Sequence, residues 1–168
     1  MGKTYKVKVE FGLELDERDL AALIEEAHYQ NIGFEWWKAK NPEEQERARE
    51  ELLKETGEEP SIEEEFARIL VNGGKLSLLE ADSDWHWSGH KEGELLFNMQ
   101  IRAEGCVPVG GTWHDVDIYD VAKGLVKYAE GGGYNECGLS IKRILEDGDI
   151  TDADAVFQYA AYGEVVCG

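Results

Sequence analysis

Two complete helix-start signals stand close together in the first half of the chain, and they constrain the fold more than any other feature. Asn41-Pro42-Glu43-Glu44 combines a side chain that can cap free backbone N–H groups, a proline at the first helical position and acids in the first turn, where the helix dipole favours them. Ser61-Ile62-Glu63-Glu64 has the spacing of a capping box. Gly57 and Pro60 stop the first helix, and Asn72-Gly73-Gly74 stops the second. The first helix, running to about Glu55, has only Ala48, Leu52 and Leu53 as apolar residues, so most of it faces water. The second places Ile62, Phe66, Ile69 and Leu70 at helical spacing toward a core.

The remaining patterns surround this pair with short strands and further amphipathic helices. Tyr5 to Phe11 alternates with period two and reads as a half-buried strand. Asp16 caps a helix that puts Leu20, Leu23, Ile24 and Ala27 on one face and ends at Asn31-Ile32-Gly33. Phe34, Trp36 and Trp37 follow as an aromatic cluster, whose first reading is core packing over the helix end and whose second is a binding hot spot. Lys75 to Ala81 reads as a strand and Glu94 to Ile101 as its partner, with Asp82 to Gly93 as a polar connection. Pro108 and paired glycines mark Cys106 to Gly111 as a loop. Val121, Ala122, Leu125 and Tyr128 define a helix from Ile118, closed by Gly131-Gly132-Gly133. A short helical stretch at Ile141 to Leu145 and a last helix capped by Thr151-Asp152 complete the chain. The expected class is α+β, a small antiparallel sheet packed against several amphipathic helices. Residues 1–168 are expected to form a single domain, with an acidic helix at about 40–60.

Charge narrows the function. With 36 acidic against 17 basic residues the formal net charge is -19, while 42% hydrophobic content is enough for a core. Direct binding to nucleic acid or to an anionic membrane needs a basic footprint, so both are disfavoured and a basic protein surface becomes the expected partner. The N-terminal residues lack a signal-peptide apolar core and no run is long enough to span a bilayer, which points to the cytoplasm. Cys106, Cys137 and Cys167 form an odd set without CxxC spacing, and free thiols are expected.

No motif for catalysis, metal or cofactor emerges. His86 and His90, with His114 and Cys106, supply ligand types for zinc but no diagnostic spacing. The glycines at 131–133 close a helix where a phosphate cradle would open one. Asp147 to Asp154 is rich in carboxylates but lacks the glycine and terminal glutamate of a calcium loop. No serine sits in a nucleophile elbow, and Cys137 has no adjacent base. Neither an enzyme nor a cofactor is expected.

The charge is densest from Glu43 to Glu65. Glu43 with Arg47 and Glu50 with Lys54 are opposite-charge pairs at helical spacing, whereas Glu46 with Glu50 and Glu51 with Glu55 are like-charge pairs, with neighbours about 5–6 Å apart. Glu43, Glu44, Glu46, Glu50, Glu51, Glu55, Glu58 and Glu59, with Trp36 and Trp37, are therefore the candidate partner contacts. Such a row can compete for a groove built to hold polyphosphate; the plain alternative is a solubilising face.

Several blocks resemble a family of small acidic proteins encoded by phages and prophages of Firmicutes. They are Thr4 to Phe11 with Leu15-Asp16-Glu17-Arg18-Asp19, Asn31-Ile32-Gly33-Phe34-Glu35-Trp36, Asn72-Gly73-Gly74-Lys75-Leu76, and the ending from Asp152-Ala153-Asp154 to Tyr162-Gly163-Glu164-Val165-Val166. Against that pattern the chain carries an acidic helical insertion at about 40–60, between Lys40 and Pro60, and a longer middle from about Trp85 to Thr112. The resemblance implies action inside a bacterial host and no catalytic residues. Small acidic phage proteins of this kind include anti-CRISPR inhibitors, and the leading expectation is an inhibitor of a Cas9-type effector nuclease, whose nucleic-acid channel is basic. A phage assembly or housekeeping protein pairing through apolar surface, using Trp36, Trp37, Trp85 and Trp87, is the second. An undetected small-molecule enzyme or sensor is the third.

Overall fold

The computed structural model describes residues 3, 12–30, 32–88, 106–131 and 140–166. Its elements are helix α1 (Glu17–Gln30), strand β1 (Phe34–Ala39), α2 (Pro42–Thr56), α3 (Ile62–Val71), β2 (Leu76–Glu80), β3 (Trp85–Trp87), β4 (Pro108–Gly110), β5 (Trp113–Val116), α4 (Ile118–Ala129), α5 (Ile141–Asp147) and α6 (Ile150–Tyr162). This is an α+β fold. An antiparallel sheet in the order β1-β2-β5 carries the helices on one face, and β3 and β4 form a separate two-stranded ribbon.

The helix boundaries follow from local chemistry. The Asn41 side chain accepts the Glu43 N–H, Pro42 opens α2, and Gly57 closes it in the left-handed region at φ 73, where a side chain would be strained. Ser61 and Glu64 make the reciprocal capping box of α3. Asp16 accepts the Arg18 N–H at the start of α1. The cap of α6 is Asp149, in a box with Asp152, two residues before the expected Thr151. Asp149 is the better cap because its extended backbone lets the carboxylate reach the Asp152 N–H.

Four strands depart from the sequence reading, the first being β3, Trp85–Trp87, which lies within the polar connection expected from Asp82 to Gly93. Phe34 to Ala39, read as aromatics covering a helix end, forms β1, and a bulge at Glu35 puts Phe34 and Trp37 on the helix side and Trp36 on the other. The loop expected at Cys106 to Gly111 contains β4, and β5 carried too short a pattern to be expected. The strands proposed at Tyr5–Phe11 and Glu94–Ile101 lie outside the described residues. Both edges of β2 are already paired, with β1 and β5.

The core lies between the sheet and α1, α3, α4 and α6. Leu20, Leu23, Ile24 and Ala27 bury the predicted face of α1, and Phe66, Ile69 and Leu70 that of α3, whereas Ile62 is exposed at the helix start. Trp37 meets Phe157 of α6 edge-on with ring centres 4.7 Å apart, joining the sheet to the helices. α2 rests on α3 through Ala48 and Leu52 and leaves Leu53 in water. Ala39 and Leu76 are direct partners across β1 and β2, so the α2–α3 hairpin leaves and re-enters the sheet at one point.

Candidate functional site

The acidic segment does not form the uniform outward row that its sequence suggested. Glu51 and Glu55, one turn apart on α2, both turn toward α3 and share Arg68. The Arg68 guanidinium is 13% exposed and holds Glu55 through two parallel bonds of 3.0 and 2.8 Å, Glu51 at 3.2 Å and Glu17 of α1 at 2.8 Å. Asn72 adds a bond to Glu51 at 3.1 Å. The Asn72 bond, followed by that from Arg68, holds the Glu51 carboxyl below the ordinary carboxylate range, and the Arg68 bonds do the same for Glu55. A like-charge pair that would repel in an isolated helix is thus converted into a fork around one cation.

Glu59 is likewise engaged, by Arg49, which also lies 3.7 Å from the buried Glu65. Glu65 accepts from Gln45 at 2.7 Å. Glu44 is half-buried beside Gly74. Glu43, Glu46, Glu50 and Glu58 are exposed and, among the described residues, form no ion pair within 4.0 Å. The expected pairs of Glu43 with Arg47 and Glu50 with Lys54 are not in contact; all four side chains point into solvent, where holding two long chains together gains little. Arg47 and Lys54 also dilute the outward face of α2, so its charge is more balanced than the run of glutamates implied.

The negative charge instead gathers at a cleft between α1 and the α2–α3 corner, with a volume of about 720 Å³. Six acids line it, Asp16, Glu17 and Glu25 from α1 and its cap, and Glu55, Glu63 and Glu64 from the opposite wall, against Arg18 and Arg68. Arg68 is already consumed by Glu17, Glu51 and Glu55. Ala21, Ala22 and Leu52 supply apolar patches of wall, and Glu58 and Glu59 continue the acidic surface around the corner beside Glu64. His28 bridges to Glu63 at 3.1 Å and ties the two walls. Glu17 and Glu25 lie on a helix whose apolar pattern was legible. Their convergence with α3 was not, because it depends on how α1 packs.

Of the two candidate tryptophans, Trp37 is 3% exposed and packs against Phe34, His28 and Phe157. That is the first of the two roles the sequence allowed it and removes it from the surface. Trp36 is half-buried on the opposite sheet face, edge-on to Trp87, which in turn meets Trp85. Lys38 lies 4.1 Å over the Trp113 ring on the same face.

No group of three or more potential metal ligands occurs among the described residues. His114 is bound to Glu80 at 3.1 Å and abuts Tyr162, while His86 is exposed on β3. Cys106 is a free cysteine; His90, Cys137, Cys167 and Gly132 to Glu136 lie outside the described residues. No helix among the described residues is long and apolar enough to cross a membrane.

Fold and site together define an α+β domain with a strongly acidic cleft. No protein-family model, curated protein or solved structure matches the chain.

Proposed function

We propose that this protein is an inhibitor that binds a basic protein surface through its acidic cleft and the adjoining α2–α3 corner, and that its target is a Cas9-type effector nuclease or its guide complex. The cleft is the observation that carries the reading: six acids face two arginines, an excess of four negative charges, with Arg68 held by two of those acids, Glu17 and Glu55. A surface of that kind accepts lysine and arginine side chains that otherwise contact a phosphate backbone, and so competes with nucleic acid for its channel. The anchoring of Glu51, Glu55 and Glu59 by Arg68 and Arg49 fixes the helical hairpin, so little ordering remains to be done on binding. Glu25 in the cleft, with Glu43, Glu46, Glu50 and Glu58 on α2 and the corner after it, exposed and in no ion pair within 4.0 Å among the described residues, are the proposed contacts. The net charge of -19 and the resemblance to small acidic phage proteins support the same reading, with action inside the bacterial cell.

The test is target-DNA binding and cleavage by a Cas9–guide complex with and without the protein. Inhibition relieved by lysine at Glu25, Glu50 and Glu58 supports the proposal; undiminished binding and cutting across several effector orthologues rejects it. A second reading, a phage assembly protein pairing through apolar surface, is favoured by the exposed Val107 and Val109 on the ribbon that carries the Trp85–Trp87 pair. It would show as self-association insensitive to those charge reversals.

A further inference from the structure

A chain of buried hydrogen bonds connects the start of β1 to the segment that follows α6. Asp154, 1% exposed, accepts the Gly33 N–H on Oδ1 at 2.9 Å and the Gln158 side-chain amide on Oδ2 at 2.6 Å. Gln158, 0% exposed, accepts the Val166 N–H on Oε1 at 2.8 Å. The direction of the whole chain is fixed from its far end. A backbone N–H can only donate, so Val166 must meet the oxygen of Gln158; the amide nitrogen must then face Asp154, which must accept. An ionised Asp154 meets both donors with charged oxygens, which suits this arrangement best. Its two partners here are neutral donors, and burial pushes its carboxyl above the ordinary aspartate value despite the Gly33 and Gln158 bonds.

The ionisable groups that face α6 from the elements packed against it are engaged elsewhere. Among the described residues, Tyr128 of α4 binds Asp152, Lys127 of α4 binds the Gly163 carbonyl, His28 of α1 binds Glu63, and His114 of β5 binds Glu80. Tyr29 at the end of α1, and Glu164 in the tail itself, are exposed. None of these forms an ion pair with Asp154.

We propose that Asp154 and Gln158 form a proton-operated clasp that holds the backbone at Val166 when Asp154 is ionised and releases it when Asp154 takes up a proton. A proton on Oδ2 that points at Gln158 turns this contact from acceptor to donor. Gln158 must then rotate its amide to offer Oε1, which sets its nitrogen against the Val166 N–H, donor against donor, and breaks the tail bond. The sign follows from burial: the cost of the ionised form is present at neutral pH and disappears as pH falls through the folded-state value. Tyr162, whose hydroxyl donates to the Gly33 carbonyl at 3.1 Å, keeps β1 on α6 in either state.

The test is a pH titration of the full chain by NMR, following the Asp154 carboxyl carbon and the Val166 amide. Both should move with one shared midpoint above the ordinary aspartate value, and Val166 amide exchange, corrected for its intrinsic pH dependence, should be about tenfold faster on the acid side. Asp154→Asn, whose amide donates as the protonated acid does, should place Val166 in its acid-side state at neutral pH. A Val166 amide that stays put while Asp154 titrates, acid unfolding before Asp154 titrates, or a wild-type Val166 signal in a folded D154N variant would each overturn the clasp. If D154N does not fold, the wild-type titration alone decides.

Discussion

Arg68 lies 13% exposed with Glu17, Glu51 and Glu55 around one guanidinium, so three elements depend on a single side chain. Arg68→Ala should leave those carboxylates facing one another and lower stability by about 2 kcal/mol in urea unfolding. Arg68→Lys should recover only part of this, because an ammonium cannot make the paired bonds to Glu55. The pH dependence has a definite sign. Glu51 and Glu55 are held below their unfolded values, so their contribution is present above the ordinary carboxylate range and is lost as pH falls through the depressed values. The stability gap between wild type and R68A should therefore narrow on acidification; a constant gap would mean that packing of the arginine stem, not its charge, matters. None of this geometry was legible in the sequence. The i,i+4 rule marks Glu51 with Glu55 as repulsive, and only the packing of α3 against α2 supplies Arg68.

At the scale of elements, capping and periodicity were readable because they are local. The Asn41 and Ser61 caps fall where their side chains predict, and Asn41→Ala should cost about 1 kcal/mol without changing the fold, as read by thermal unfolding. The short strands were not readable. β5 has four residues, and β1 is interrupted by a bulge at Glu35 that breaks the two-residue alternation. Helix packing also escapes pattern reading. Gly124 of α4 sits so close to α6 that a methyl group there would overlap the Val156 carbonyl and lie 3.1 Å from the Ala160 nitrogen. Gly124→Ala should force the two helices apart and destabilise the protein by about 2 kcal/mol or more, despite the higher helix propensity of alanine. An unchanged melting temperature would show that α4 can slide along α6 without loss.

For the whole molecule, composition announced the acidic character and the pattern of elements the α+β class, whereas the position of the charge required the fold. The sequence pointed to α2 as an acidic row. In the folded protein three of its eight glutamates, Glu51, Glu55 and Glu59, are tied to Arg68 and Arg49, and the acidic cleft draws half its lining acids from α1 and its cap. Lysine at Glu25, Glu50 and Glu58, which are exposed and unpaired among the described residues, should therefore preserve the fold and weaken binding to a basic partner, whereas reversal at Glu55 should damage the fold first. The most direct test is the affinity of the protein for a Cas9–guide complex measured across a salt series, for wild type, for the Glu25, Glu50 and Glu58 triple reversal, and for an equal reversal at Glu130, Asp147 and Glu164, which lie outside α1, α2, α3 and the corner between them. The account predicts wild-type affinity that falls steeply with salt, a loss of at least about tenfold in the Glu25, Glu50 and Glu58 variant, and a much smaller loss in the control. Equal losses in the two variants, or binding that does not respond to salt, would contradict it.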